Sequence, residues 1–234
     1  MQGIKREKKI TVKFFLNEAV EPVTGEGKKK YYPLYVQVTY DRKNMQFKSK
    51  YGEHYSSLEE VKPALMQFEE RVIKNIISYE ANKEKGEYNL KGLKRKYEVY
   101  SISILEVLEG YLKPKLRLAI LKTGNELTNV LNFNDHSATT WLLYEAARLL
   151  FKNLEESLSE KLTLELQAYH QYQMLQRPML NYNFPTIIEW TNGSYKGELE
   201  KKLMIKFKTK PQVIRDIKAL IDQSVKEKTK ELEV

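Results

Sequence analysis

The chain is expected to fold as an α+β protein. An N-terminal three-stranded antiparallel sheet packs on a helix. A mainly α-helical body follows, with a small C-terminal β-hairpin or strand and a final helix. Three observations carry this expectation. Apolar residues alternate with polar ones near the start, at Ile10, Val12, Phe14 and Leu16 and again at Tyr32, Leu34, Val36, Val38 and Tyr40. They recur at three- and four-residue steps through much of the rest. Turn residues separate the two regimes. A period of two marks a half-buried strand and a period near 3.6 an amphipathic helix.

The first strand is Ile10–Leu16, and the stretch from Glu21 to Lys30, with Pro22, Gly25 and Gly27, reads as a loop. The second strand spans Tyr32 to Tyr40, Asp41-Arg42-Lys43-Asn44 makes a short turn, and a more polar third strand surrounds Phe47. Such a meander is not stable with one face bare. The cover is at hand: Ser57-Leu58-Glu59-Glu60 has the spacing of a capping box. Leu58, Val61, Leu65, Phe68, Val72, Ile76 and Tyr79 then form a helical stripe ending at Lys85-Gly86.

Further along, Ser103 and Glu106 form a second capping signal, opening a helix from Ile104 to Leu112 that Pro114 kinks or breaks. Gly124-Asn125 and Asn132 to Asp135 punctuate the next stretch. Ser137 is read as the N-cap of a strong helix with Trp141, Leu142, Ala146, Leu149, Leu150 and Leu154 on its apolar face. A helix from about Leu162 to Gln176 stops at Pro178. Pro185 to Trp190 reads as a strand turning at Asn192-Gly193, and Leu203, Ile205 and Phe207 alternate with lysines as another strand. Val213, Ile214, Ile217, Leu220, Ile221 and Val225 make the final helix, and the polar tail Lys226–Val234 is expected to fray. The expected division is a basic β-β-β-α domain over 1–85, a helical domain over 86–180 and a β/α segment over 181–234.

Composition narrows the function. The 234 residues carry 40 Lys+Arg, 31 Asp+Glu, three His and no Cys, a formal net charge of +9. Without cysteine there is no disulfide scaffold, thiolate metal site or cysteine nucleophile. The opening Met-Gln-Gly-Ile-Lys-Arg leads into no apolar signal core, and no window nears the twenty apolar residues of a spanning helix. A cytoplasmic location, in a bacterial host or within a virion, is expected. Residues 1–51 hold 12 Lys+Arg against 5 Asp+Glu, so most of the excess charge lies in the first fifth of the chain. That asymmetry points to a polyanionic partner.

Catalytic patterns are missing. His54, His136 and His170 lie far apart in sequence, and the four Asp form no paired metal motif. Gly25-Glu26-Gly27-Lys28 lacks the spacing of a phosphate loop. No catalytic residue, metal site or cofactor is assigned, and the chain is not expected to be an enzyme.

Ile10-Thr-Val-Lys-Phe-Phe-Leu16, a basic Gly-containing loop, and Tyr32-Pro-Leu-Tyr-Val-Gln-Val-Thr-Tyr-Asp-Arg-Lys-Asn-Met-Gln-Phe-Lys-Ser49 together resemble the arm-type DNA-binding domain. That domain opens many tyrosine recombinases of phages and conjugative transposons. The resemblance covers about residues 8–80. It implies a three-stranded sheet facing DNA, with Lys28, Lys29, Lys30, Gln37, Arg42, Lys43, Lys48 and Lys50 as the nucleic-acid-binding residues. The family often has Arg where Gln37 stands and Gly near Asn44. The recombinase catalytic domain is missing: the three histidines are followed at the third position by Ser57, Thr139 and Gln173, so no His-x-x-Arg box exists.

Two functions remain open on these residues. The first is a non-enzymatic DNA-binding accessory protein of a phage or mobile element. The second is a structural subunit of a large assembly, such as a ring or head–tail connector component of a virion. There the same small fold would make protein–protein contacts, with self-association. Neither a membrane nor a small-molecule substrate is an expected partner.

Overall fold

In a computed structural model, residues 8–85, 87–123, 138–176 and 184–233 are described. The expected punctuation at Gly86, Gly124-Asn125 and Asn132–Asp135, the Ser137 cap, the Pro178 stop and His136 lie outside them. The fold class is α+β, as expected, and the chain divides into two compact units, residues 1–101 and 102–234.

In the first unit, strands β1 (Ile10–Leu16), β2 (Val23–Thr24), β3 (Lys30–Tyr40), β4 (Lys43–Lys48) and β5 (His54–Tyr55) form an antiparallel sheet. The eleven-residue β3 is its hub, and every other strand pairs with it. Register runs from Ile10 opposite Tyr40 to Leu16 opposite Leu34, and from Tyr35 opposite Lys48 to Tyr40 opposite Lys43. Asp41 and Arg42 alone make the β3–β4 turn, at φ 49° and 63°. Positive φ at both central residues is the mark of a type I′ turn, whose twist matches that of the strands it joins. The turn is therefore two residues, not four, and Lys43 and Asn44 belong to β4.

Leu34, Val36, Val38, Tyr40 and Phe47 are buried on one face of the sheet. Helix α1 (Pro63–Lys83) supplies that face with Leu65, Phe68, Val72, Ile73, Ile76 and Ile77. The Ser57 capping box does not form. Leu58–Glu60 is a single 3₁₀ turn in which the Ser57 side chain caps nothing. The Glu60 carboxylate accepts from the backbone N–H and the hydroxyl of Ser56 instead, at 2.9 and 2.6 Å. The reason is Pro63: it disfavours helical backbone at Lys62 (ψ 123°), so α1 opens at Pro63 itself.

Helix α2 (Leu93–Tyr100) has no counterpart among the expected elements and packs against α1. Its Tyr97 ring lies 5.2 Å from that of Phe47, and its Lys96 forms an ion pair with the buried Glu80 of α1. The linking Tyr88 and Leu90 are buried too. This packing places residues 87–101 with the sheet, and the first compact unit extends past the expected boundary at 85 to 101.

The second unit is helical: α3 (Ile104–Lys122), α4 (Thr140–Leu150), α5 (Leu154–Ser157), α6 (Glu160–Gln176), α7 (Ile187–Thr191), α8 (Lys196–Phe207) and α9 (Pro211–Thr229). Ser103 caps α3 as expected, its Oγ accepting from the Glu106 N–H at 3.2 Å. Pro114 does not end that helix. Leu116, Ala119 and Ile120 continue the buried stripe past it. Burial of that stripe outweighs the one lost backbone hydrogen bond. Thr139 caps α4, accepting from Leu142 N–H at 3.3 Å.

α4 does not bury the expected face. Thr140, Leu143, Tyr144 and Ala147 face the core, whereas Leu142, Leu149 and Leu150 are exposed. The C-terminal hairpin does not form either. Ile187–Thr191 is helical, and only a single bridge between Ser103 and Thr186 is strand-like. Leu203, Ile205 and Phe207 are in helix α8, where Leu199, Leu203 and Phe207 are buried at four-residue steps and Ile205 is 84% exposed. The sequence supports both periods there, and burial of Leu199 decides for the helix. α9 packs against α3, α6 and α8, so residues 184–233 share a core with the helices before them and do not form a separate segment. The tail stays helical to Thr229, whose Oγ1 donates to the Val225 carbonyl at 2.9 Å, and then makes a 3₁₀ turn over Lys230–Leu232.

Candidate nucleic-acid interface

Strand alternation sends one set of side chains to α1 and the other away from it. Across β1, β3 and β4 the outward set forms three rows of three. Thr11, Thr39 and Asn44 are in register, then Lys13, Gln37 and Gln46, then Phe15, Tyr35 and Lys48. None of the nine is acidic. The rows are about 7 Å apart and the outer strands about 10 Å apart. Gln46 Nε2 donates to Gln37 Oε1 at 3.3 Å, and Thr39 Oγ1 donates to Asn44 Oδ1 at 2.6 Å. The Phe15 and Tyr35 rings lie 5.9 Å apart. The face therefore offers amides, hydroxyls, one aromatic pair and two ammonium groups.

The eight expected residues are not one cluster. Gln37 and Lys48 are on this outward face, while Arg42 and Lys43 are at the hairpin end of β3 and β4, exposed. Lys28, Lys29 and Lys30 belong to the β2–β3 segment. There Lys29 is drawn to Glu60 at 2.9 Å and lies 5.5 Å from the Tyr31 ring centroid. The two hydrogen bonds from Ser56, with that contact from Lys29 after them, hold the Glu60 carboxyl down to about 2. Lys50 is elsewhere: its Nζ is 3.4 Å from Ser101 Oγ, near the neighbouring Tyr51 ring. Its backbone N–H donates to Glu69 at the core side of the sheet. Among the described residues, ion pairs hold Lys8 to Asp41 and Lys29 to Glu60, and none forms at Lys13, Arg42, Lys43 or Lys48.

Lys13, Asn44 and Gln46 share the outward face with Gln37 and Lys48 and were not among the expected residues. A usable signal was present. The β3 alternation puts Tyr35, Gln37 and Thr39 opposite the core face, and a two-residue turn then fixes which β4 residues stand beside them. Reading the turn as four residues hid that register.

Behind this face is a buried carboxyl. Glu69 of α1 is 0% exposed and accepts from Ser49 Oγ at 2.9 Å, from Lys50 N–H at 3.2 Å and from the Tyr97 hydroxyl. Burial raises its pKa, against the opposing pull of those donors. Ser49 Oγ also accepts from Gly52 N–H at 2.7 Å. The cluster joins the end of β4 to α1 and α2.

The second unit has polar junctions of the same kind. Glu109 accepts from the Thr140 N–H and from the hydroxyls of Thr140 and Tyr169, tying α3 to α4 and α6. The indole of Trp190 donates to Asp222 at 2.9 Å, tying α7 to α9. His170 stacks on Trp141, with ring centroids 4.0 Å apart. Among the described residues no three His, Asp or Glu side chains converge as a metal-binding group, and no helix is long and apolar enough to cross a membrane. Comparison with protein-family models, curated proteins and solved structures finds no match to this chain.

Proposed function

We propose that the chain is a DNA-binding accessory protein, of the kind that phages and mobile elements use, and that it docks on duplex DNA through the outward face of the β1–β3–β4 sheet. One observation carries this reading: nine outward side chains in three registered rows include no carboxylate, Lys13 and Lys48 on that face form no ion pair among the described residues, and Arg42 and Lys43 at its hairpin end lie near Asp41, whose carboxylate pairs with Lys8. Four exposed cations around an amide-rich face suit phosphate contacts flanking base contacts. The width of three strands, about 10 Å, compares with about 12 Å for the major groove of B-DNA. The resemblance of residues 8–80 to arm-type domains gives the same reading.

The test is duplex binding by the purified chain across a salt series. Each neutralised phosphate contributes about −0.9 to the log–log slope. The reading predicts a slope of about −3 to −4 from these four cations, reduced by about 2 in the double variant Arg42→Ala, Lys43→Ala. An absence of binding at low salt overturns it.

The second reading, a structural subunit of a large assembly, is favoured by a different observation. Leu142, Leu149 and Leu150 on α4, Leu118 and Leu121 on α3 and Ile205 on α8 are exposed. Large apolar side chains in such number suit protein contacts. Light scattering tests it: self-association at micromolar concentration supports this reading, and a monomer at every concentration counts against it.

A further inference from the structure

The middle row of the sheet face is Lys13, Gln37 and Gln46, and its two amides are joined. Gln46 commits one Nε2 hydrogen to Gln37 Oε1 and keeps its second hydrogen and its own Oε1. Those two groups are a donor and an acceptor in one amide plane. Adenine presents the complement in the major groove, an N7 acceptor beside an N6–H₂ donor, and an amide can engage both at once. A free glutamine would have to give up rotamer freedom to do so. Here the bond to Gln37 limits rotation of the Gln46 amide before any partner arrives.

The neighbouring row supports the same picture. Thr39 Oγ1 donates to Asn44 Oδ1, which leaves the Asn44 Nδ2 hydrogens as donors facing outward. Two successive β4 amides are thus each held by the β3 side chain directly opposite. Lys13 and Lys48 lie to either side, on the outer strands, where the groove walls carry phosphate.

We infer that Gln46, oriented by Gln37, reads one adenine through the major groove of duplex DNA, and that this amide pair is the sequence-determining centre of the sheet face. The inference rests on the reading of that face as a DNA-docking surface. Gln37 is a positioning residue; Gln46 touches the base. A-form RNA does not offer this contact, because its major groove is too deep and narrow for a sheet to enter.

The experiment is selection of bound duplexes from a random-centre library by the full-length chain, followed by affinity measurement on the selected duplex and its single base-pair substitutions. The expected result is one A·T position whose change to G·C weakens binding about ten-fold or more. Gln46→Ala should abolish discrimination at that position and leave the salt slope unchanged, since no phosphate contact is lost. Gln37→Ala should lower discrimination at the same position and no other. A purely structural cross-strand bond would not produce that pattern. If the chain binds with a steep salt slope but Gln46→Ala keeps the A·T preference, or no preference exists, the inference is overturned while the docking reading stands. If no duplex is bound at low salt, the docking reading fails and this inference with it.

Discussion

Glu69 is a charged residue type in the middle of an apolar helix face, and its surroundings explain why it is tolerated. Three donors converge on one carboxylate oxygen, from Ser49, Lys50 and Tyr97. Desolvation still dominates and raises the folded-state pKa. The sign of the linkage follows. A carboxyl whose folded pKa lies above its unfolded value favours the fold at low pH and loses that contribution as pH rises through the folded value. Glu69→Gln keeps a side-chain oxygen acceptor and has no charge to bury. Its urea midpoint should therefore improve relative to the wild-type chain as pH rises above about 4.5. A constant difference from pH 4 to pH 8 would contradict the placement of this carboxyl. Gly52 is equally constrained by space. A Cβ there would lie 2.7 Å from both Leu34 Cδ2 and Ser49 Oγ. Gly52→Ala is expected to cost about 1–3 kcal/mol in denaturant unfolding, because Leu34 is fully buried and has nowhere to move.

Helix α8 and the β3–β4 hairpin show how far single elements were legible. In β1 and β3 the strand period was the only one present, and both strands form where expected. In Leu199–Phe207 two periods compete: Leu203, Ile205 and Phe207 fit a strand, and Leu199, Leu203 and Phe207 fit a helix. Tertiary burial settles such cases, and no local propensity reveals it. The two alternatives predict opposite behaviour at one residue. Leu203→Ala should cost about 2–5 kcal/mol and Ile205→Ala less than about 0.5 kcal/mol. Comparable losses at both positions would argue for the strand. In α4 the helix forms as read, but the choice of face differs: the more apolar stripe of Leu142, Leu149 and Leu150 is the exposed one. In the hairpin, two non-glycine residues take left-handed backbone at Asp41 and Arg42. Arg42→Gly should relieve that strain and raise stability by about 0.5–1 kcal/mol. The same change removes one proposed phosphate contact, so the salt slope for duplex DNA should fall by about 1. Stability and binding are thus expected to move in opposite directions in a single variant.

At the scale of the whole molecule, charge and architecture are unevenly distributed. The first unit carries the basic N-terminal segment and an open sheet face, and the second is a helical body with internal polar junctions at Glu109 and Asp222. The basic segment and the β1–β3–β4 order could be read from composition and alternation, whereas the two-residue strands β2, inside the expected loop, and β5 could not. The composition of the open face could not, because it depends on which β4 residues stand beside β3. That register follows from a turn shortened by two residues. The dispersal of the lysines was equally hidden: Lys29 and Lys50 are spent on Glu60 and Ser101, neighbours only in the folded chain. The central claim is that duplex DNA is engaged by the outward face of the β1–β3–β4 sheet. The most direct measurement is the change in backbone amide NMR shifts of the full-length chain on titration with duplex DNA at low salt. The account predicts that the largest changes fall on Thr11, Lys13, Tyr35, Gln37, Thr39, Asn44, Gln46 and Lys48 and at the Asp41-Arg42 turn. Changes concentrated instead on the exposed leucines of α4, or no changes at all, would contradict it.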